Sequence, residues 1–153
     1  MIFNIPEIGE MEIKTIVLDL NGTLGNYGIV KDSTKQLIKE LKKEKYHIVL
    51  ISGDIRGNAK LISDELDIEL LLGKNSKEKA LQTQKFDKET LAAIGNARID
   101  IGTFENAKLS IATIQSEGIH TGILKYVDII VNDIDDALRL FLNKKALEGT
   151  MRI

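Results

Sequence analysis

Four short apolar runs limit what this chain can fold into more than any other feature. Residues 16–18, 48–51, 68–72 and 91–94 are rich in Ile, Val, Leu and Ala, and each breaks off into small or polar residues. Such runs read as buried strands. Between and after them, apolar residues recur at helical spacing, as in Leu37, Ile38 and Leu41, then Ala59, Ile62 and Leu66, then Ile134, Ala137, Leu138 and Phe141. Parallel neighbours need crossover helices, and such crossovers are right-handed. The alternation therefore predicts a three-layer, Rossmann-like α/β domain with a mainly parallel central sheet. Such a sheet puts all strand carboxyl ends on one edge. Asp19, Ser52, Gly73 and the pair Gly95-Asn96 then meet in one crevice, where open α/β sheets bind ligands.

The remaining chain fits around this frame. Residues 2–5 and 11–13 flank a turn at 6–10 and predict an N-terminal β-hairpin. Ser33 and Gln36 have the spacing of a capping box opening the first helix. Further helices are expected over 56–66, 76–84 and 100–107, and further strands over 109–113 and 128–131. Asp133 is expected to cap the last patterned helix, with Asp135 and Asp136 complementing its dipole. The tail, 143–153, is weakly patterned, with the body or another subunit to dock on.

At 153 residues and 43% hydrophobic content, the whole of 1–153 reads as one domain with its own core. The 21 basic and 23 acidic residues nearly cancel, and the lysine-rich run 39–45 reads as a solvated helix face. Neither nucleic acid nor a membrane surface is expected as a partner. Cysteine is absent, which excludes disulfides and thiolate chemistry. With no apolar segment near 18 residues and no signal-peptide pattern, the expectation is a soluble, cytoplasmic protein.

Asp19 ends the first run and is followed by Asn21-Gly22-Thr23. A strand-end carboxylate in a glycine-turned loop suits a nucleophile, a metal ligand, or simply a turn cap. The sequence Asp19-Leu20-Asn21-Gly22-Thr23-Leu24 resembles the first motif of the haloacid dehalogenase superfamily, D-x-D-G-T-L. Ile51-Ser52-Gly53-Asp54 resembles its second motif and the T-G-D of P-type ATPases, and Gly95-Asn96-Ala97-Arg98-Ile99-Asp100 resembles its acidic fourth motif. The chain as a whole is similar to small soluble P-type-ATPase-like members of that superfamily.

The resemblance implies a Mg2+-dependent phosphohydrolase or phosphotransferase in which Asp19 becomes an aspartyl phosphate. Asp19, the Asn21 backbone carbonyl, Asn96 and Asp100 would hold Mg2+. Ser52 and Gly53 would bind the phosphoryl oxygens, Thr23 would steady the loop, and a lysine would offset the negative charge. Lys79 is the choice for that lysine, with Lys77 in reserve. Three positions depart from the pattern. Asn21 stands where relatives carry a general acid, as P-type ATPases also lack one, and losing such a group removes about 10²- to 10⁴-fold in rate. Asn96 replaces an aspartate and weakens the pull on a hard cation, and Ile99 puts an apolar side chain where relatives offer a hydrogen bond.

Those departures leave a catalytically degenerate phosphate-binding or regulatory module as the alternative, and a phospho-receiver-like domain as a further one that the Gly22-Thr23 pair argues against. Arg98 is next to the expected site and within reach of a phosphate. His47 and His120 lack spaced partners for a metal or triad and read as surface or structural residues. The segments after motifs one and two are too short for a cap domain. An open crevice implies as substrate a phosphorylated small molecule or a phosphoprotein, with a homo-oligomer or partner protein to cover the site.

Overall fold

The computed structural model describes residues 1–153. The chain opens with β1 (Ile2–Ile5) and β2 (Gly9–Glu12), an antiparallel pair in which Ile5 faces Gly9. The central sheet is made of β3 (Thr15–Asp19), β4 (His47–Ser52), β5 (Glu69–Leu72), β6 (Leu91–Gly95), β7 (Leu109–Thr113) and β8 (Ile129–Val131). Their order is β5-β4-β3-β6-β7-β8, and every neighbouring pair is parallel. The strand order reverses between β3 and β6, so the crevice of an open α/β sheet falls at the end of β3.

The helices are α1 (Asp32–Lys43), α2 (Ala59–Leu66), α3 (Ser76–Thr83), α4 (Ile101–Phe104), α5 (Ile134–Leu142) and α6 (Lys144–Met151). Side chains alternate faces along a strand, and the two faces of this sheet differ. Ile16, Leu18, Ile48, Leu50 and Ile94 join the large core under α1, α2 and α5. Val17, Val49, Ile51 and Ala93 face the thinner layer with α3 and α4. The expected three layers, parallel sheet and hairpin are present. The turn of the hairpin is tighter than 6–10, because β2 already starts at Gly9.

Helix starts depart from expectation where local capping loses to tertiary packing. Ser33 does not cap α1: the cap position is Lys31, whose side chain makes no capping bond, and Gln36 donates to Glu40 one turn on. Residues 54–57 form a turn instead of the first turn of α2, with Asp54 left-handed at φ 51°. The helix expected over 100–107 is a 3-10 turn at Arg98–Asp100 followed by the single turn of α4. Asp133 caps α5 by accepting from the Asp136 N–H, as expected. The tail forms α6, which packs on β1 and α5 with Leu147 buried. No helix is long and apolar enough to cross a membrane.

Candidate active site

Alternation along β3 decides where the Asp19 carboxylate goes. Ile16 and Leu18 point into the large core, so Val17 and Asp19 point to the face that carries α3. The N-terminus of α3 is capped by Asn75, which accepts from the Glu78 N–H at 2.9 Å, while Glu78 accepts from the Lys74 N–H at 2.8 Å. Gly73 lets this helix start hard against β5: a Cβ there would lie 2.9 Å from Lys79 Cγ. The result is that Lys79, 1% exposed, puts Nζ 2.6 Å from Asp19 Oδ1 and 2.7 Å from Asp100 Oδ1. Lys77 is exposed on the same helix.

Both oxygens of Asp100 have partners. Oδ1 accepts from Lys79, and Oδ2 accepts from the Asn96 and Ala97 N–H groups at 3.0 and 2.9 Å. It holds the lysine and the β6 loop together. Two buried carboxylates and one ammonium leave an excess negative charge in the cluster. Burial and the neighbouring Asp100 charge push Asp19 up to about 7, against the pull of Lys79 and of the Leu20 backbone. Burial alone would lower Lys79, but the two carboxylates outweigh it and hold the lysine above its ordinary value.

The loop after Asp19 is built for close approach. Gly22 is left-handed at φ 78°, and a Cβ on it would overlap the Asn96 amide and come within 3.0 Å of Glu117 Cβ. Thr23 is buried and donates to Asn96 Oδ1 at 3.2 Å, while Asn96 Nδ2 donates to the Gly118 carbonyl at 2.8 Å. Thr113 donates to the Gly22 carbonyl and Gln115 to the Thr23 carbonyl. Ser52 is buried, with its Oγ accepting from the Asp54 N–H at 2.9 Å. It does not line the cleft, whereas Gly53 does.

A cleft of about 460 Å³ opens over these groups. Its floor is Asp19, Lys79 and Asn96, and its walls include Asn21, Arg98, Glu117 and His120 with Ile55, Ile99 and Ile119. The residues lining it carry oxygen donors of the kind a hard divalent cation takes. These donors are the Asp19 carboxylate, the Asn21 backbone carbonyl, which accepts no hydrogen bond, and Asn96 Oδ1, which keeps a lone pair beside its bond from Thr23. A magnesium ion is commonly held by one or two carboxylates plus water, so this set fits one at modest affinity. Asp100 is buried and does not line the cleft, with Oδ1 on Lys79 and Oδ2 on two backbone amides. No group of three or more acidic, histidine or cysteine side chains placed to hold a metal exists in the chain, this cleft included, so a cation here would rely on carbonyl and amide oxygens beside Asp19.

Two residues at the cleft escaped the sequence reading. Arg56 Nη1 donates to Asn21 Oδ1 at 2.9 Å, and its Nη2 meets Glu117 Oε1 at 2.8 Å. Glu117 belongs to the loop after β7, a strand-end position like those of Asp19 and Asn96. His120, expected as a surface or structural residue, has a structural bond, its Nδ1 accepting from the Gly122 N–H, and also lines the cleft.

No family model matches the chain. An uncharacterized protein of Methanocaldococcus jannaschii is 42% identical over 62 residues, which span 40% of this chain and 67% of that protein. Among solved structures, the cobalt-bound deoxy-D-mannose-octulosonate 8-phosphate phosphatase of Haemophilus influenzae superposes with a TM-score of 0.69 at 17% identity, covering 92% of this chain and 90% of that one. The 3-deoxy-D-manno-octulosonate 8-phosphate phosphatase of Moraxella catarrhalis, in complex with magnesium, phosphate and KDO, gives 0.70 at 16%, covering 90% and 92%. A Streptomyces avermitilis protein described as a HAD family hydrolase gives 0.68 at 21%, covering 84% and 82%.

Proposed function

We propose, on the premise that this chain has the fold of the haloacid dehalogenase hydrolases, that it is a phosphohydrolase or phosphotransferase working through an aspartyl phosphate on Asp19. One observation carries this: a buried strand-end carboxylate, 2.6 Å from a buried lysine, on the floor of a cleft at the sheet's switch point. Phosphoryl transfer is mainly positioning and charge neutralisation, and both are built here.

In the first step an oxygen of ionised Asp19 attacks phosphorus and the leaving group departs into the cleft. Lys79 offsets the charge of nucleophile and phosphoryl group. Gly53 lines the cleft at the second strand end, where phosphoryl oxygens would rest, Ser52 braces that loop by accepting from the Asp54 N–H, and Arg98 adds a cation at the wall. Mg2+, when held by Asp19, Asn21 and Asn96, supplies Lewis-acid stabilisation of the transferred group. Asn21 cannot protonate a leaving group. Activated donors such as aryl and acyl phosphates therefore react best.

The open cleft suits a phosphorylated small molecule, or a phosphoprotein whose own surface closes the site. Exposed Tyr27, Ile29 and Ile55 belong to the loops after β3 and β4, and a second copy or a partner protein would cover that rim.

The test is phosphate release from an aryl phosphate, with and without Mg2+, by the wild type and by Asp19→Asn. Release that needs both the metal and Asp19 is the expected result. Release at the Asp19→Asn background would leave the second reading, a phosphate-binding module without turnover, which a cation position with Asp19 as its one carboxylate favours.

A further inference from the structure

The geometry points to Glu117 as the group that takes the proton from the water discharging phospho-Asp19, replacing the acid-base residue that the chain lacks at Asn21. This rests on the aspartyl-phosphate reading above. Four observations carry it.

Glu117 is the one carboxylate besides Asp19 that lines the cleft, and Asp100 is buried outside the lining with partners on both oxygens. A single guanidinium, that of Arg56, joins Asn21 Oδ1 and Glu117 Oε1, so the carboxylate is held beside the position whose amide cannot exchange a proton. Only Glu117 Oε1 is taken by Arg56, and Oε2 has no partner in the protein.

The loop bearing Glu117 is also pinned on both sides. Gln115 accepts from the Ile134 N–H at 2.8 Å and donates to the Thr23 carbonyl, Tyr27 donates to the Ser116 carbonyl at 3.2 Å, and the Gly118 carbonyl accepts from Asn96. Gly22, without a side chain, lets this loop approach the nucleophile loop.

In the discharge step the water oxygen bonds to phosphorus and the bond from phosphorus to the Asp19 oxygen breaks. The water proton passes to Glu117 Oε2 and then to solvent. Asp19 is regenerated as a carboxylate and inorganic phosphate leaves. Glu117 has no part in breaking the donor's bond when the leaving group is an acyl phosphate's carboxylate. The two half-reactions should therefore respond differently to its loss.

Full-length wild type, Glu117→Gln and Glu117→Asp are labelled with ³²P-acetyl phosphate and Mg2+, then chased with unlabelled donor. Glutamine keeps an acceptor for Arg56 but cannot take the proton. Glu117→Gln should label at a rate within about threefold of wild type and hold its label roughly 10²-fold longer or more. Glu117→Asp should recover part of the discharge rate, which a merely structural role would not require.

Equal label lifetimes in wild type and Glu117→Gln would overturn the assignment while leaving the aspartyl phosphate intact. So would a folded Glu117→Gln, by circular dichroism, that no longer labels although wild type does. Absence of both label and phosphate release in the wild type would remove the aspartyl-phosphate reading and this assignment with it.

Discussion

One ammonium between two buried carboxylates makes Asp19 a residue whose charge works against the fold. Between the ordinary carboxyl range near 3.8 and about 7, the folded protein holds a proton there that the unfolded chain has released. Stability from this group is thus present at low pH and lost as pH rises through about 7. Asp19→Asn removes the excess charge, so its melting temperature should exceed that of wild type at pH 8 and approach it near pH 5, as thermal unfolding at both values would reveal. On the proposed mechanism activity has the opposite sense, because only ionised Asp19 would attack phosphorus. Release from an aryl phosphate should rise through about pH 7 at low Mg2+, and the acid limb should move to lower pH as Mg2+ is raised. Lys79→Met leaves two carboxylates without their cation, and loss of one partner from a buried pair costs about 3–5 kcal/mol. Lys77→Met, on the exposed side of α3, should stay within about 0.5 kcal/mol in urea unfolding. That lysine pair illustrates the limit of reading spacing alone: residues 77 and 79 both suit a charge-offsetting role in sequence, and only the docking angle of α3 turns one of them to Asp19.

At the scale of elements, apolar periodicity was a sound guide to strands and to α1, α2 and α5, because burial of a stripe fixes their inner faces. It was a poor guide to their ends. α1 begins without a side-chain cap, and α2 starts late because a left-handed Asp54 turns the chain before it and accepts from the Ala59 N–H at 2.8 Å. The segment after β6 is the most instructive. Residues 98–104 have too little periodicity for a long helix, and their short turns exist to hang Asp100 from the Asn96 and Ala97 amides. Gly102 is the contact on which this depends: its N–H donates to Ser76 Oγ at 2.8 Å, and a Cβ would overlap the Ser76 carbonyl at the start of α3. Gly102→Ala should lower stability by about 1–3 kcal/mol through overpacking and reduce phosphate release, since it parts the two elements that hold Lys79 and Asp100. Gly149→Ala, with nothing within 4 Å on α6, is the matched control and should raise stability by about 0.4–1 kcal/mol.

Over the whole molecule the chemistry and the scaffold sit at opposite ends of the sheet. Strand ends are the part of the site that a sequence exposes, because an apolar run stopping at Asp19, Ser52 or Gly95 marks both the strand and its edge. The partnership of Arg56 with Asn21 and Glu117 was not legible, since it joins three loops, and loop side chains meet only through the strand order and crossover geometry. At the other end, the hairpin and α6 close the bottom of the large core. Phe3, Ile5, Met11 and Leu147 are buried in it, the Asn4 N–H donates to the Glu148 carboxylate at 2.7 Å, and the N-terminal ammonium donates to the Ile13 carbonyl at 2.6 Å. None of these groups lines the cleft. Leu147→Ala should therefore separate stability from chemistry: truncating a buried leucine costs about 2–5 kcal/mol, which for a chain of this length lowers the melting temperature by roughly 4–20 °C. Phosphate release per folded molecule at 25 °C, measured with an aryl phosphate, should remain that of wild type. A fall in kcat at unchanged fold would mean that α6 and the hairpin communicate with the β3 loop through β3 itself, which starts at Thr15, just after the hairpin, and ends at Asp19.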